Sequence, residues 1–182
     1  SQAGADSDGI TQIANGVEID PNGNAIVTGY LASSDPFGTS ATVTNFGSTD
    51  VFLAKYWENG TLSWATTAGS SFEEQGLDLY INSTGYIHVI GKFGTLGLNP
   101  NSTQCFCAQF GAYNVTSPFR AGFHAAYLPG TGWVSADSIG DESNPASLAE
   151  VFPRGISSGP IDGTHAIVGY HNNLVGMGNF DL

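Results

Sequence analysis

Gly16 to Leu31 reads GVEIDPNGNAIVTGYL: an alternating apolar strand, a polar turn closed by Asn22-Gly23, and a second strand ending in Gly29 and an aromatic. The same grammar returns in Gly76 to Phe93, GLDLYINSTGYIHVIGKF, and in Gly155 to His171, GISSGPIDGTHAIVGYH. Recurrence of one hairpin along a Gly-rich chain is the mark of a repeat protein. Between these hairpins lies a second element. Asp50 to Ala65, DVFLAKYWENGTLSWA, is echoed by Gly122 to Ser135, GFHAAYLPGTGWVS. Phe52, Ala54 and Tyr56 fall on one face and Val51, Leu53 and Lys55 on the other, a period of two that specifies strands. Asn-Gly at Asn22-Gly23 and Asn59-Gly60 predicts tight hairpin turns, because such turns need positive φ. Two hairpins per unit give a four-stranded antiparallel sheet, the sequence form of a propeller blade.

The expected fold is therefore all-β, a single repeat-built domain over residues 1–182. Unit 1 covers about 1–68, unit 2 about 69–139 and a partial unit 3 about 140–182. Closed propellers hold about four to eight blades, so about two and a half units cannot close by themselves. The connections Ala32 to Thr49 and Gly94 to Arg120 exceed ordinary loops, and ATVTNF (Ala41 to Phe46) and QCFCAQF (Gln104 to Phe110) alternate enough to add a fifth strand to each sheet.

The pattern resembles the β-propeller repeat called SBBP, found in secreted and cell-surface proteins. Asp20, Gly23, Asn24, Val27 and Gly29 match the first half of that repeat, and Gly47, Asp50, Phe52, Lys55, Gly60 and Trp64 the second. Unit 2 departs from it, with Tyr80 aligned to Asp20 and His124 near a family Val. The resemblance implies fold more strongly than role.

Charge narrows the function. Lys55, Lys92, Arg120 and Arg154 are the only bases, set against 16 acids for a net charge of −12. Phosphate backbones and anionic membranes are repelled by such a surface, so no nucleic-acid partner is expected, and with no apolar run near the ~20 residues that span a bilayer no membrane insertion is expected either. The absence of an initiator Met suggests a removed leader and an extracellular, cell-surface setting. Four Asn-x-Ser/Thr sequons, at Asn59, Asn82, Asn101 and Asn114, fall in expected turns or the long connection, where N-glycans are tolerated. Cys105 and Cys107 are the only cysteines. At i,i+2 a bond between them is strained, so a local ring, a bridge to another subunit and two thiols all stay open.

No catalytic site is expected, and neither a nucleophile elbow nor a phosphate loop is present. No metal site is expected either: His88, His124, His165 and His171 lack ligand spacing and read as repeat residues. Asp20-Pro21-Asn22-Gly23-Asn24, with Asp6, Asp8, Glu73, Glu74, Asp141 and Glu142 in the inter-unit loops, resembles an oxygen-rich calcium loop. The segment lacks the downstream Glu such loops use and is equally a turn, so no cofactor beyond a structural calcium ion is considered. Most recurring aromatics suit packing between sheets. Trp57 follows Tyr56 directly and is the candidate for sugar or partner contact.

An unclosed stack leaves unpaired strand edges to be covered. The expected role is thus an extracellular structural or assembly protein, a glycosylated subunit of a cell-surface filament or layer that polymerises with copies of itself through its edges. The alternative is a glycan- or protein-binding propeller module of a larger adhesin.

Overall fold

A computed structural model describes residues 12–32, 36–37, 41–94, 106–117, 120–140, 151–159 and 164–171. The first sheet is built from β1 (Gln12–Ile19), β2 (Ala25–Leu31), β5 (Asp50–Tyr56) and β6 (Leu62–Ala68), antiparallel and in that order. The second has the same plan: β7 (Glu74–Ile81), β8 (Ile87–Phe93), β11 (Ala121–Leu128) and β12 (Gly132–Ile139). β13 (Val151–Ser158) and β14 (His165–His171) form the first hairpin of a third unit. Among the described residues that hairpin pairs with neither four-stranded sheet, and the units do not close into a ring.

The long connections hold hairpins, but these do not extend the blades. β3 (Pro36–Phe37) pairs only with β4 (Ala41–Thr42), and β9 (Phe106–Phe110) only with β10 (Tyr113–Ser117). The sheets are four-stranded, and the fifth strand expected in each is corrected accordingly. Asn114 consequently lies within β10, opposite Gln109, rather than in a loop.

Local chemistry repeats with the fold. The first strand of every unit carries a bulge at the same place: between Ala14 and Gly16, Gly76 and Asp78, and Pro153 and Gly155. The third strand of both complete units meets another irregularity, at Lys55/Tyr56 and at Ala126/Tyr127. Recurring bulges in equivalent strands act as design features, bending the strand and re-aiming one side chain.

The turns differ from expectation in kind. Gly23, Gly60 and Gly85 have φ of 82°, 79° and 85°, while no described non-glycine has positive φ. A two-residue turn with positive φ at both centres is thereby excluded at Asn22 and Asn59. Instead Gly23 N–H donates to Asp20 O, and Asp20 N–H to Asn24 O. Gly85 and Asn82, and Asn82 and Tyr86, repeat these two bonds. Asn82, not Tyr80, therefore occupies the place of Asp20.

That place is structural in unit 1. Asp20 Oδ1 accepts from the backbone N–H of Asn22 and Asn24, and Asp20 Oδ2 lies 2.7 Å from Lys55 Nζ. Burial pushes its pKa up, but the bonds from Lys55 and Asn24 outweigh this and leave the carboxyl well below the usual carboxylate range. The side chain is committed to a turn and an ion pair, which removes the calcium reading of this segment. Asp6, Asp8, Asp141 and Glu142 lie outside the described residues.

The main core fills the seam between the first two sheets. Ile26, Val51, Leu53 and Ala68 face Leu79, Ile87, Val89, Phe93, Phe123 and Ala125, and the inserted hairpin adds Phe106, Ala108, Phe110 and Val115. Burying each large side chain contributes about 1.5–3 kcal/mol. The β9–β10 hairpin also straps the seam, because Gly69 and Gln109 exchange backbone bonds of 3.0 and 3.1 Å. The next seam is smaller, holding Tyr80, Ile90, Ile156 and Ile167.

Candidate functional site

The repeated bulges have a shared target. Asn15, Leu77 and Arg154 are the extra residues at the three breaks, and all three line one open cleft of about 300 Å³. The residues after the strand glycines, Tyr30, Lys92 and Tyr170, line it too, as do their cross-strand partners Ile13, Gln75 and Phe152. Nine of its ten lining residues are thus three equivalent positions taken once from each unit, and Arg120 is the tenth. The first strands gather at this axis: Asn15 Nδ2 donates to Gly76 O at 2.7 Å, and a Cβ on Gly16 would sit 2.9 Å from Asp78 Cα.

Electrostatics sets the cleft apart. Lys92, Arg120 and Arg154 are three of the four basic residues in a chain of net charge −12. Arg120 bonds Gly94 O at 3.2 Å, approaches Glu73 at 3.8 Å, and lies over the Phe152 ring at 5.9 Å. Arg154 donates to the Tyr170 hydroxyl at 3.3 Å and stacks over that ring at 5.1 Å. Rings of this kind orient a guanidinium by cation–π attraction without neutralising it. The lining residues include no carboxylate, histidine, serine or cysteine. The three cations make the cleft locally positive in an otherwise acidic chain. Sequence reading missed it, although Lys92 at a position otherwise held by Tyr, and Arg154 at one held by Asn and Leu, are legible signals.

A buried carboxyl pair lies between the first two units. Glu74 accepts from Ser70 N and Ser70 Oγ, and Asp50 accepts from Phe46 N. Burial, with the nearby Asp50 carboxylate adding to it, pushes Glu74 up to about 8; burial also raises Asp50. A protonated Glu74 donating to Asp50 reconciles two acids in one low-dielectric place. The pair is a clasp between units and lies outside the cleft.

The sites expected from sequence are dispersed. Asn59 is exposed in its turn, its Oδ1 accepting from both the backbone and hydroxyl of Thr61. Asn114 is exposed on β10. Asn82 is half-buried: its Oδ1 takes bonds from Thr84 and Tyr86, and its Nδ2 lies 3.3 Å from His88 Nε2. Asn101 and Cys105 lie outside the described residues, and Cys107 is exposed on β9. Trp57 is 48% exposed, in the turn after β5, with Lys55 Nζ 5.2 Å from its ring. Trp64 and Trp133 are not equivalent, since Trp64 pairs with Lys55 and Trp133 with Tyr127.

The histidines were expected to be repeat residues with no ligand geometry, yet His88, His124 and His165 meet in the second seam. His88 Nδ1 lies 3.0 Å from His124 Nε2, and the His165 ring centroid is 4.5 Å from that of His124. Tyr80 stacks on His88 at 4.9 Å.

Fold and axial cleft together define a β-propeller-type repeat protein. Among known proteins, the chain is similar to the uncharacterized WD repeat-containing protein L264 of Acanthamoeba polyphaga mimivirus, 25% identical over 99 residues. That match spans 51% of this chain and 7% of the relative's length. No protein-family model matches.

Proposed function

We propose that the chain is a non-catalytic binding and assembly module of β-propeller type, whose axial cleft receives an acidic group of its partner. The observation that carries this reading is the convergence of Lys92, Arg120 and Arg154, drawn from two units, in a molecule otherwise rich in uncompensated acid. Charges at a concave surface steer an oppositely charged partner and fix its register. The partner we favour is another copy of the chain, which supplies acidic groups in abundance and completes an open stack.

Apolar surface supports the same reading. Val17 and Ile19 are 61% and 57% exposed on the first unit, and Val168 is 65% exposed on the third. Sheet faces of this kind are normally covered by the next blade. We assign the repeat to the SBBP type on its Asp20, Asn24 and Lys55 pattern, and place the protein at the cell surface, in a filament or layer, with glycans at Asn59 and Asn114.

Sedimentation velocity tests the proposal. The chain is expected to form salt-sensitive assemblies, and Lys92→Gln with Arg154→Gln to weaken them at least about tenfold, the loss of roughly 1.4 kcal/mol. A monomer at every salt and protein concentration contradicts the assembly role. Assemblies indifferent to the double substitution contradict the role of the cleft.

A further inference from the structure

The geometry points to a divalent transition-metal site formed by His88, His124 and His165, joining the second unit to the third. One ligand nitrogen from each histidine lies within 4.8 Å of the other two. A tetrahedral ion with bonds of 2.0–2.1 Å sets its nitrogens about 3.4 Å apart, so small side-chain movements close the site. His165 supplies the second observation: both its ring nitrogens are buried and neither has a hydrogen-bond partner. Buried polar atoms are nearly always satisfied, and an ion satisfies one of these two.

The donor set indicates the ligand class. Three imidazoles without thiolate or carboxylate suit Zn²⁺, Ni²⁺ or Cu²⁺ rather than calcium or magnesium. Coordination requires neutral imidazole, so binding should weaken as the pH falls. Three protein ligands leave a fourth position for water or a partner's side chain.

Hydrogen bonding identifies a tuning residue. Asn82 Oδ1 is occupied by Thr84 and Tyr86, so its Nδ2 faces His88 and donates to Nε2. His88 must then carry its proton on Nδ1, donating to His124 Nε2. Binding an ion through His88 Nδ1 moves that proton to Nε2, where the Asn82 amide cannot accept it. A carboxylate at this position would accept it, forming the carboxylate–histidine–metal arrangement that strengthens metal sites.

The test is titration of the chelator-treated full chain with Co²⁺ read by visible absorption, and with Zn²⁺ by calorimetry. One ion per chain is expected at micromolar concentration. H165A should weaken binding at least about tenfold and N82D tighten it roughly tenfold, while H171A changes neither. Circular dichroism establishes that H165A is folded, and H165Q serves in its place if it is not. No saturable binding, binding unchanged in the folded H165 variant, or binding weakened in N82D overturns the proposal.

Discussion

The two seams between successive units use the same backbone plan and opposite chemistry. Between units 1 and 2 a wide apolar core with four fully buried phenylalanines, Phe93, Phe106, Phe110 and Phe123, surrounds one carboxyl clasp, and an inserted hairpin straps the outside. Between units 2 and 3 a small cluster of Tyr80, Ile90, Ile156 and Ile167 adjoins three imidazoles. A shared strand order thus fixes where sheets meet, while side chains decide how firmly. The larger apolar core of the first seam predicts that units 1 and 2 unfold together, and the smaller second cluster that the third hairpin opens first.

Core truncation should expose the difference most strongly. Phe123→Ala is expected to cost about 3–5 kcal/mol and to lower the denaturation midpoint of the whole molecule. Ile156→Ala should cost about 2–4 kcal/mol, but hydrogen exchange should show the loss confined to β13 and β14. Equal acceleration throughout the chain for both variants would break the comparison.

Acidity should act on the seams with opposite sign. Glu74, raised to about 8 from an unfolded value near 4.5, contributes stability that is complete below pH 4.5 and lost as pH rises through 8. His88 and His124, lowered to about 4 and 3 from near 6.5, contribute stability that is complete above pH 6.5 and lost as pH falls through those values. Exchange protection of β13 and β14 should therefore decline on acidification, and Glu74→Gln should flatten the alkaline decline of the first seam. A common pH slope for both regions would refute the assignment.

Smaller effects sharpen the account. Lys55→Ala removes the partner of Asp20 and should destabilise unit 1 by about 1 kcal/mol in denaturant unfolding. At the equivalent turn of unit 2, where Asn82 faces no lysine, Ala126 already stands in the place of Lys55. Trp57→Ala should change stability by no more than about 0.5 kcal/mol, as expected of an exposed turn residue.

Strand alternation and turn residues made the two four-stranded units and the third hairpin legible, because period two and glycine placement are local properties. The bulges were not, since one extra residue shows only against its partner strand. Matching Gly16 with Gly76, where the pairing makes Asp78 its counterpart, sets unit 2 two residues out of step and aligns Tyr80 with Asp20. The cleft stayed hidden for the same reason: Asn15, Leu77 and Arg154 share no chemistry, only a backbone defect that aims them at one axis.

The histidines show how a single step misleads. His88 precedes Gly91 by three residues and His165 precedes Gly169 by four, which looks like near-equivalence. On strands that one-residue offset reverses the face. In adjacent sheets of a stack, opposite faces are the ones that meet, so two residues read as repeats of one another become neighbours across the seam.

The central claim is that the third hairpin stacks on the second sheet as the next blade of an open propeller-type array. Through-space NMR contacts among selectively labelled histidine rings test it directly. Cross-peaks linking His165 to both His88 and His124 are predicted, as ring centroids 5.1 and 4.5 Å apart require. Contacts between His88 and His124 with none to His165 would contradict the stacking, and with it the shared axis on which the cleft depends.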